Sequence, residues 1–332
     1  MTSTPLPLGD DRLEEELLTE LEDVERRLNE AAAHANPLVQ SPARHLMDAG
    51  GKRLRPVLVM LTSHFGSGIN AQVRTAAVAT ELTHLATLYH DDVMDDAPLR
   101  RGAPSAQHVW GNSVAILTGD LLFARASQMV AELGPVAVRI QAEAFERLVL
   151  GQLHETLGPG EGEDAVEHYI RVLSDKTGSL IAAAANYGTL FSGADESSMR
   201  ASVAYGEKVG VAFQLADDVI DLMSDAETLG KEPGTDLRAG VATMPVLLLG
   251  AREAAGEVDE VGASILADLG SEDEEVRAST LGRLRVHPVL EEARTLARQW
   301  AADAVAELDV LPDSAAKRAL VAFADIVVDR LA

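Results

Sequence analysis

HLATLYHDDVMDDAPLRR, residues His84 to Arg101, is the stretch on which the reading of the whole chain turns. It places Asp91, Asp92 and Asp95 within five positions, continues to Arg100 and Arg101, and approaches the aspartates through an uncharged run. An α-helix advances about 100° per residue, so Asp91 and Asp95 stand only about 40° apart around the axis, one turn above each other, with Asp92 flanking. Like charges at that spacing repel, and the arrangement costs stability unless a cation lies between them. The spacing therefore predicts a buried helix whose acidic end gathers positive charge.

The composition suits helices. At 332 residues the chain can bury a sizeable core, and hydrophobic residues make up 47% of it while aromatics reach only 4%. Plentiful alanine and leucine favour packed helices over sandwiches, which want aromatic and β-branched residues. A formal charge of −25 excludes a broad electrostatic grip on nucleic acid. With no cysteine there is no disulfide and no thiolate metal site. The polar, acidic N-terminus lacks the basic-then-apolar pattern of a signal peptide. No uninterrupted apolar run approaches the roughly 18 residues of a membrane span. The expectation is a cytoplasmic protein, one all-α domain over residues 1–332, with 1–10 as a loose tail.

Toward the N-terminus, apolar Leu13, Leu17, Leu21, Val24 and Leu28 recur at helical spacing and predict an amphipathic first helix to about Ala35. Pro37 and Pro42 are expected to break the adjoining stretch, with a helix from about Ser41 stopped at Gly50-Gly51. Lys52, Arg53 and Arg55 come next, and Pro56 suits the first turn of a new helix. A long helix over 71–95 carries the aspartates. Pro98, Gly102 and Pro104 make a loop. Helices fit 113–132, 135–157, 164–192, 196–224 and 243–255, with acidic loops at 158–164 and 270–275 and more amphipathic helix over 277–332. No strand or hairpin pattern stands out.

The acidic motif recurs 126 positions on, where Phe213-Gln214-Leu215-Ala216 leads into Asp217, Asp218 and Asp221. One such cluster in a chain with 53 acidic residues reads as a solvated face; two, each after an apolar run and each with basic residues downstream, do not. Facing helices would present six carboxylates to one cavity, and oxygen-only ligands select a hard cation. Mg²⁺ is usually shared with substrate phosphates, so a diphosphate is the natural third party. Lys52, Arg53, Arg55, Arg100, Arg101, Lys176, Lys231 and Arg238 all flank a motif or a glycine break. Arginine offers phosphate a planar fork and lysine a point charge. Gly51-Lys52 is no phosphate loop of the nucleotide-binding kind, lacking the earlier glycine and the Ser or Thr after the lysine. Nothing couples a serine to a base. Taken singly, His84 reads as a core histidine, Lys176 as a surface lysine and Gln214 as a buried amide; only their places beside the motifs argue otherwise. His108, His154, His168 and Trp110 read as structural.

These motifs together resemble the trans-isoprenyl diphosphate synthases, or polyprenyl synthetases. GGKRLRP at 50–56, HDDVMD at 90–95, RRG at 100–102, GDLLFARA at 119–126, KTGSL at 176–180, FQLADDVID at 213–221 and GK at 230–231 keep that family's order. The resemblance implies an all-α isoprenoid-synthase helical bundle, usually a homodimer, with a central cavity between the two Asp-rich helices. It implies Mg²⁺, three ions per site with substrate bound, held by Asp91, Asp95 and Asp217 with Asp92, Asp218 and Asp221 in support. It implies condensation of isopentenyl diphosphate with an allylic diphosphate. Lys52, Arg55, His84 and Arg101 match the isopentenyl diphosphate site; Arg100, Lys176, Thr177, Gln214 and Lys231 match the allylic site. The catalytic set it implies is Asp91, Asp95, Asp217, Lys176 and Arg100. Val241 departs from the family pattern, standing where many relatives carry a lysine before Thr243-x-Pro245.

Product length is expected to be set below Asp91. Thr87 and Ala86 lie four and five positions back, where short-chain members place Phe or Tyr as a floor. Small residues leave a tunnel open, and resemblance to long-chain enzymes implies a product of about thirty to fifty carbons. Met129 or Val130 is the candidate deeper floor. The competing expectations are a short-chain farnesyl or geranylgeranyl diphosphate synthase and a non-catalytic subunit of a heteromeric synthase. A terpene cyclase fits less well, because Asp221 stands where such enzymes carry a different residue type. Membrane contact is expected to be peripheral at most.

Overall fold

The alternation of apolar runs with Pro and Gly punctuation resolves, in a computed structural model, into helix after helix. Residues 7–223 and 242–329 are described. In chain order the helices are α1 (Asp11–Ala32), α2 (Pro37–Asp48), α3 (Leu54–Ser63), α4 (Ala71–Met94), α5 (Ala106–Trp110), α6 (Asn112–Leu133), α7 (Pro135–Leu157), α8 (Ala165–Leu173), α9 (Ser179–Ser192) and α10 (Glu196–Met223). After the undescribed stretch come α11 (Met244–Ala255), α12 (Glu260–Asp268), α13 (Glu274–Val286), α14 (Pro288–Glu307) and α15 (Ala315–Asp329). The all-α expectation holds. Two compact units emerge, one of Met1–Glu146, Ser179–Gly206 and Val305–Phe323, the other of Arg147–Gly178, Glu207–Ala304 and Ala324–Ala332.

In the first unit α4 is the central helix. It is buried on nearly every face from Ala76 to Tyr89, packing on α3, α6 and α9. Small residues let the helices close up. A Cβ at Gly188 on α9 would collide with Thr62 Oγ1 and the Val59 carbonyl of α3, and Thr62 donates its hydroxyl to Ala185 O at 3.1 Å. α1 lays Leu13, Leu17, Leu21, Val24 and Leu28 into this core, as its spacing predicts. In the second unit α11 packs on α8 and on α12, and α12 on α13.

Pro37 and Pro42 do not break the chain. Asn36 caps α2, accepting from the Leu38 N–H at 3.0 Å, and Pro37 takes the first helical position, where a missing N–H costs nothing. Pro42 leaves the Leu38 carbonyl without its helical partner, and Leu38 is 83% exposed, so water can serve it. The segment after Pro98 holds a two-residue ladder, Leu99↔Pro104 and Arg100↔Ala103, around Arg101 and Gly102, both at positive φ. That is the backbone pattern of a tight I′ hairpin. α12 occupies part of a stretch in which no helix is expected from the sequence. Among the described residues one helix, α6, is long and apolar enough to cross a membrane by length and composition, although it breaks the stricter test of an uninterrupted apolar run. Its inner face is taken up by α4.

Candidate active site

The first acidic motif closes α4. Asp95 is its C-cap, with its N–H bonded to the Asp91 carbonyl at 2.8 Å. The three aspartates are used differently. Asp92 is fully buried and takes Arg100 Nε and Nη2, both at 2.6 Å, on one carboxylate oxygen. Asp91 is half-buried and Asp95 exposed. The expected roles of Asp92 and Arg100 therefore coincide in an ion pair, while the outer two carboxylates share one face.

The basic cluster lies on the same unit. Gly50, Gly51 and Arg53 all take positive φ, turning the chain sharply between α2 and α3. Lys52 is exposed while Arg53, 3% exposed, goes inward to Glu25 at 2.5 Å and Glu81 at 2.9 Å. Arg101 donates through Nη1 to the carbonyls of Leu46, at 3.0 Å, and Gly50. Its guanidinium lies against Gly51, where a Cβ would stand 2.8 Å from Nη1 and where the positive φ already disfavours any other residue. Half-buried Arg55 has a buried Nε with no hydrogen-bond partner. Burial pushes Arg55 down to about 10 despite the pull of Glu81, with Arg101 acting in the same direction as burial. His84 is held well below its ordinary value by burial and then by Arg55, Arg101, Arg100 and Arg53, so it is neutral at pH 7. Guanidinium groups gathered around a neutral imidazole, one with an unspent donor, make an anion site.

The second unit carries the other motif. Asp217 and Asp221 are half-buried on α10, while Asp218, 5% exposed, accepts the Tyr169 hydroxyl on both oxygens at 3.0 Å and the Met244 N–H at 3.1 Å. Asp218 thus holds the N-terminus of α11, where a carboxylate is favoured. Each motif spends its second aspartate on the scaffold and leaves the first and fifth more accessible. Among the described residues no group of three His, Asp or Glu side chains converges on one point. The donor chemistry, paired carboxylates one turn apart, fits a hard cation that keeps part of its water shell. Lys176 pairs with Glu155 at 2.5 Å, Thr177 is buried and Gln214 half-buried. Lys231, Arg238 and Val241 lie outside the described residues.

Beneath the anion site, within the first unit, a small cavity is lined by Ala79, Thr80, Thr83, Val130, Gln141, Ala144, Leu180, Ala183 and Tyr187. Thr80, Thr83 and Thr87 return their hydroxyls to α4 carbonyls at 2.8, 2.9 and 2.8 Å, and Thr83 Oγ1 also accepts from Gln141 Nε2 at 3.4 Å. Of the four candidate length-setting residues, Val130 lines the cavity. Ala86 and Thr87 are buried above it on α4, and Met129 is half-buried beside Val130. Gln141 and Tyr187 escape a sequence reading because neither stands in a motif. Glu25 and Glu81 escape because acidic residues are everywhere in this chain.

A match to the polyprenyl synthetase family spans residues 36–279. The nonaprenyl diphosphate synthase of Mycobacterium tuberculosis is 45% identical over 308 residues, 92% of this chain and 91% of that one. The polyprenyl synthase of Caulobacter crescentus CB15, solved with calcium and isoprenyl diphosphate, superposes with a TM-score of 0.87 at 32% identity, covering 97% of this chain and 98% of that one. Geranylgeranyl pyrophosphate synthase of Corynebacterium glutamicum, also solved with calcium and isoprenyl diphosphate, gives 0.84 at 41%, covering 97% and 98%. With these similarities, the all-helical fold falls in the class of trans-prenyltransferases. The chain belongs to the polyprenyl synthetase family within that class.

Proposed function

We propose that this chain condenses isopentenyl diphosphate head to tail with an allylic diphosphate and repeats the step to a long all-trans product. The observation that carries this reading is the layout of α4. One face holds accessible carboxylates at its end, a neutral histidine among arginines two turns down, and an apolar cavity beneath. Such a face receives a charged head and a hydrocarbon tail together. Lys52, Arg55, His84 and Arg101 would receive isopentenyl diphosphate; Lys176, Thr177, Gln214, Lys231 and Arg100 would receive the allylic diphosphate.

Asp91, Asp95 and Asp217, supported by Asp92, Asp218 and Asp221, would hold Mg²⁺, three ions with substrate present, which supplies positive charge to the leaving diphosphate. The protein's own part is to align two lipophilic reactants and to keep water from the allylic carbon. We take the working form to be a cytoplasmic homodimer folded as a single catalytic domain. Small residues at Ala86 and Thr87 and similarity to a nonaprenyl synthase support the long product; similarity to a geranylgeranyl synthase supports a shorter one as the second reading.

Purified protein with Mg²⁺, isopentenyl diphosphate and a panel of allylic primers tests this, with products sized by mass spectrometry. Products well beyond twenty carbons are expected; a twenty-carbon end product would select the second reading. Turnover only after addition of a partner chain would overturn the self-sufficient enzyme.

A further inference from the structure

Lys176 sits in the middle of a π-turn, Ser174–Gly178, at the end of α8. One-turn π segments are costly departures from α-helix and cluster at functional sites, so the contacts that hold this one matter. Arg147 on α7 donates from Nε to Asp175 Oδ1 at 2.8 Å, and from Nη2 to Ser174 Oγ at 3.1 Å and Glu207 Oε1 at 2.7 Å. Ser174 Oγ donates to the same Glu207 oxygen at 2.7 Å. The two residues immediately before Lys176 are thereby tied to one guanidinium, and that guanidinium to a carboxylate of α10.

Backbone closes in as well. A Cβ at Gly151, one turn along α7 from Arg147, would stand 2.6 Å from the Lys176 backbone nitrogen. At Gly178 it would stand 3.1 Å from the Glu207 carbonyl oxygen. Glycine at both places lets α7 and α10 press directly on the turn. Burial opposes both charges of the Arg147–Glu207 pair, yet their hydrogen bonds outweigh it: Arg147 is raised above its ordinary value and Glu207 lowered. A neutral packing residue at 147 could fill space but could not grip three polar partners in one plane.

We propose that Arg147 and Glu207 are positioning residues that fix the π-turn so that Lys176 presents its ammonium to the allylic diphosphate. The guanidinium acts through the lysine and does not itself touch substrate. This rests on the reading of Lys176 as an allylic diphosphate ligand under the proposed function.

Steady-state kinetics of the full chain with Mg²⁺, each substrate varied in turn, test it in Arg147→Ala, Arg147→Lys, Lys176→Ala and the Arg147→Ala/Lys176→Ala double variant. Arg147→Ala is expected to raise KM for the allylic primer about tenfold to hundredfold while leaving KM for isopentenyl diphosphate nearly unchanged. Arg147→Lys restores the charge without the fork and should fall between. In the Lys176→Ala background, Arg147→Ala should add nothing further. Equal rises in both KM values, or independent effects in the double variant, overturn the positioning role. Should Arg147→Ala not fold, Glu207→Gln keeps the shape, and the same KM split, smaller in size, is required of it. An allylic KM unmoved by Lys176→Ala in an active enzyme overturns the lysine's role and the proposal with it. A wild-type chain that turns over no primer fails the proposed function itself.

Discussion

Arg53 and Glu81 show how much a single buried pair can decide. Both are almost fully buried, and Glu25 completes the set at the rim. Losing Glu81 leaves Arg53 held by Glu25 at the rim with one buried donor unmet, which costs about 1–3 kcal/mol. Glu81→Leu should therefore lower the urea midpoint by that equivalent and weaken isopentenyl diphosphate binding, because the GGKRLRP loop is anchored through Arg53. An unchanged midpoint would mean the pair is replaceable. His84 carries a different signal. Unfolded, it takes up a proton near pH 6.5; folded, burial and four arginines delay that to a much lower pH. Between those values the unfolded chain binds more protons, so stability falls as pH drops below about 6.5. Carboxylates with lowered values, Glu207 among them, lose their contribution only as pH falls through the range below their ordinary 4.5. Urea midpoints of wild type should thus decline from about pH 6.5 to 5 while His84→Asn stays flatter. Equal slopes would show that the histidine is not held neutral.

α4 is legible in the sequence because its pattern is long and uninterrupted: from Ala71 to Met94 nothing but helix accommodates the residues, and the acidic end announces the chemistry. The hairpin at Arg100–Ala103 is not, since a tight I′ turn ordinarily advertises itself with Asn-Gly, and Arg101 adopts its positive φ under tertiary contacts with α2. Pro42 misleads for the same kind of reason, a local rule relieved by exposure of Leu38. The anion cluster can be read as motifs, whereas the cavity walls cannot, because Ala144, Ala183 and Tyr187 matter only once α7 and α9 lie against α4. Those walls make an element-scale prediction. Ala183→Phe should fill the cavity and shorten the product, and Val130→Ala should lengthen it, each at a modest cost in stability of about 1–3 kcal/mol. Mass analysis of products reads the outcome; an unchanged distribution in both variants would remove this cavity from the path of the growing chain.

At the scale of the whole molecule, charge and apolar surface pull against each other. A formal charge of −25 keeps copies of the chain apart, yet α6 exposes Ile116 at 41% and Leu117 at 66%. On the proposed homodimer, a second copy would cover this exposed apolar face without placing an acidic surface against lipid headgroups. Screening should help two acidic copies to associate, because surface repulsion falls off within about 10 Å at 0.1 M salt. The dimer expected under the proposed function should therefore tighten between low and moderate ionic strength, the reverse of a contact built from salt bridges. Leu117→Glu adds one negative charge per copy at the centre of that face and should shift sedimentation to the monomer, with far-ultraviolet circular dichroism unchanged. A variant that still sediments as a dimer would place the interface elsewhere on the chain.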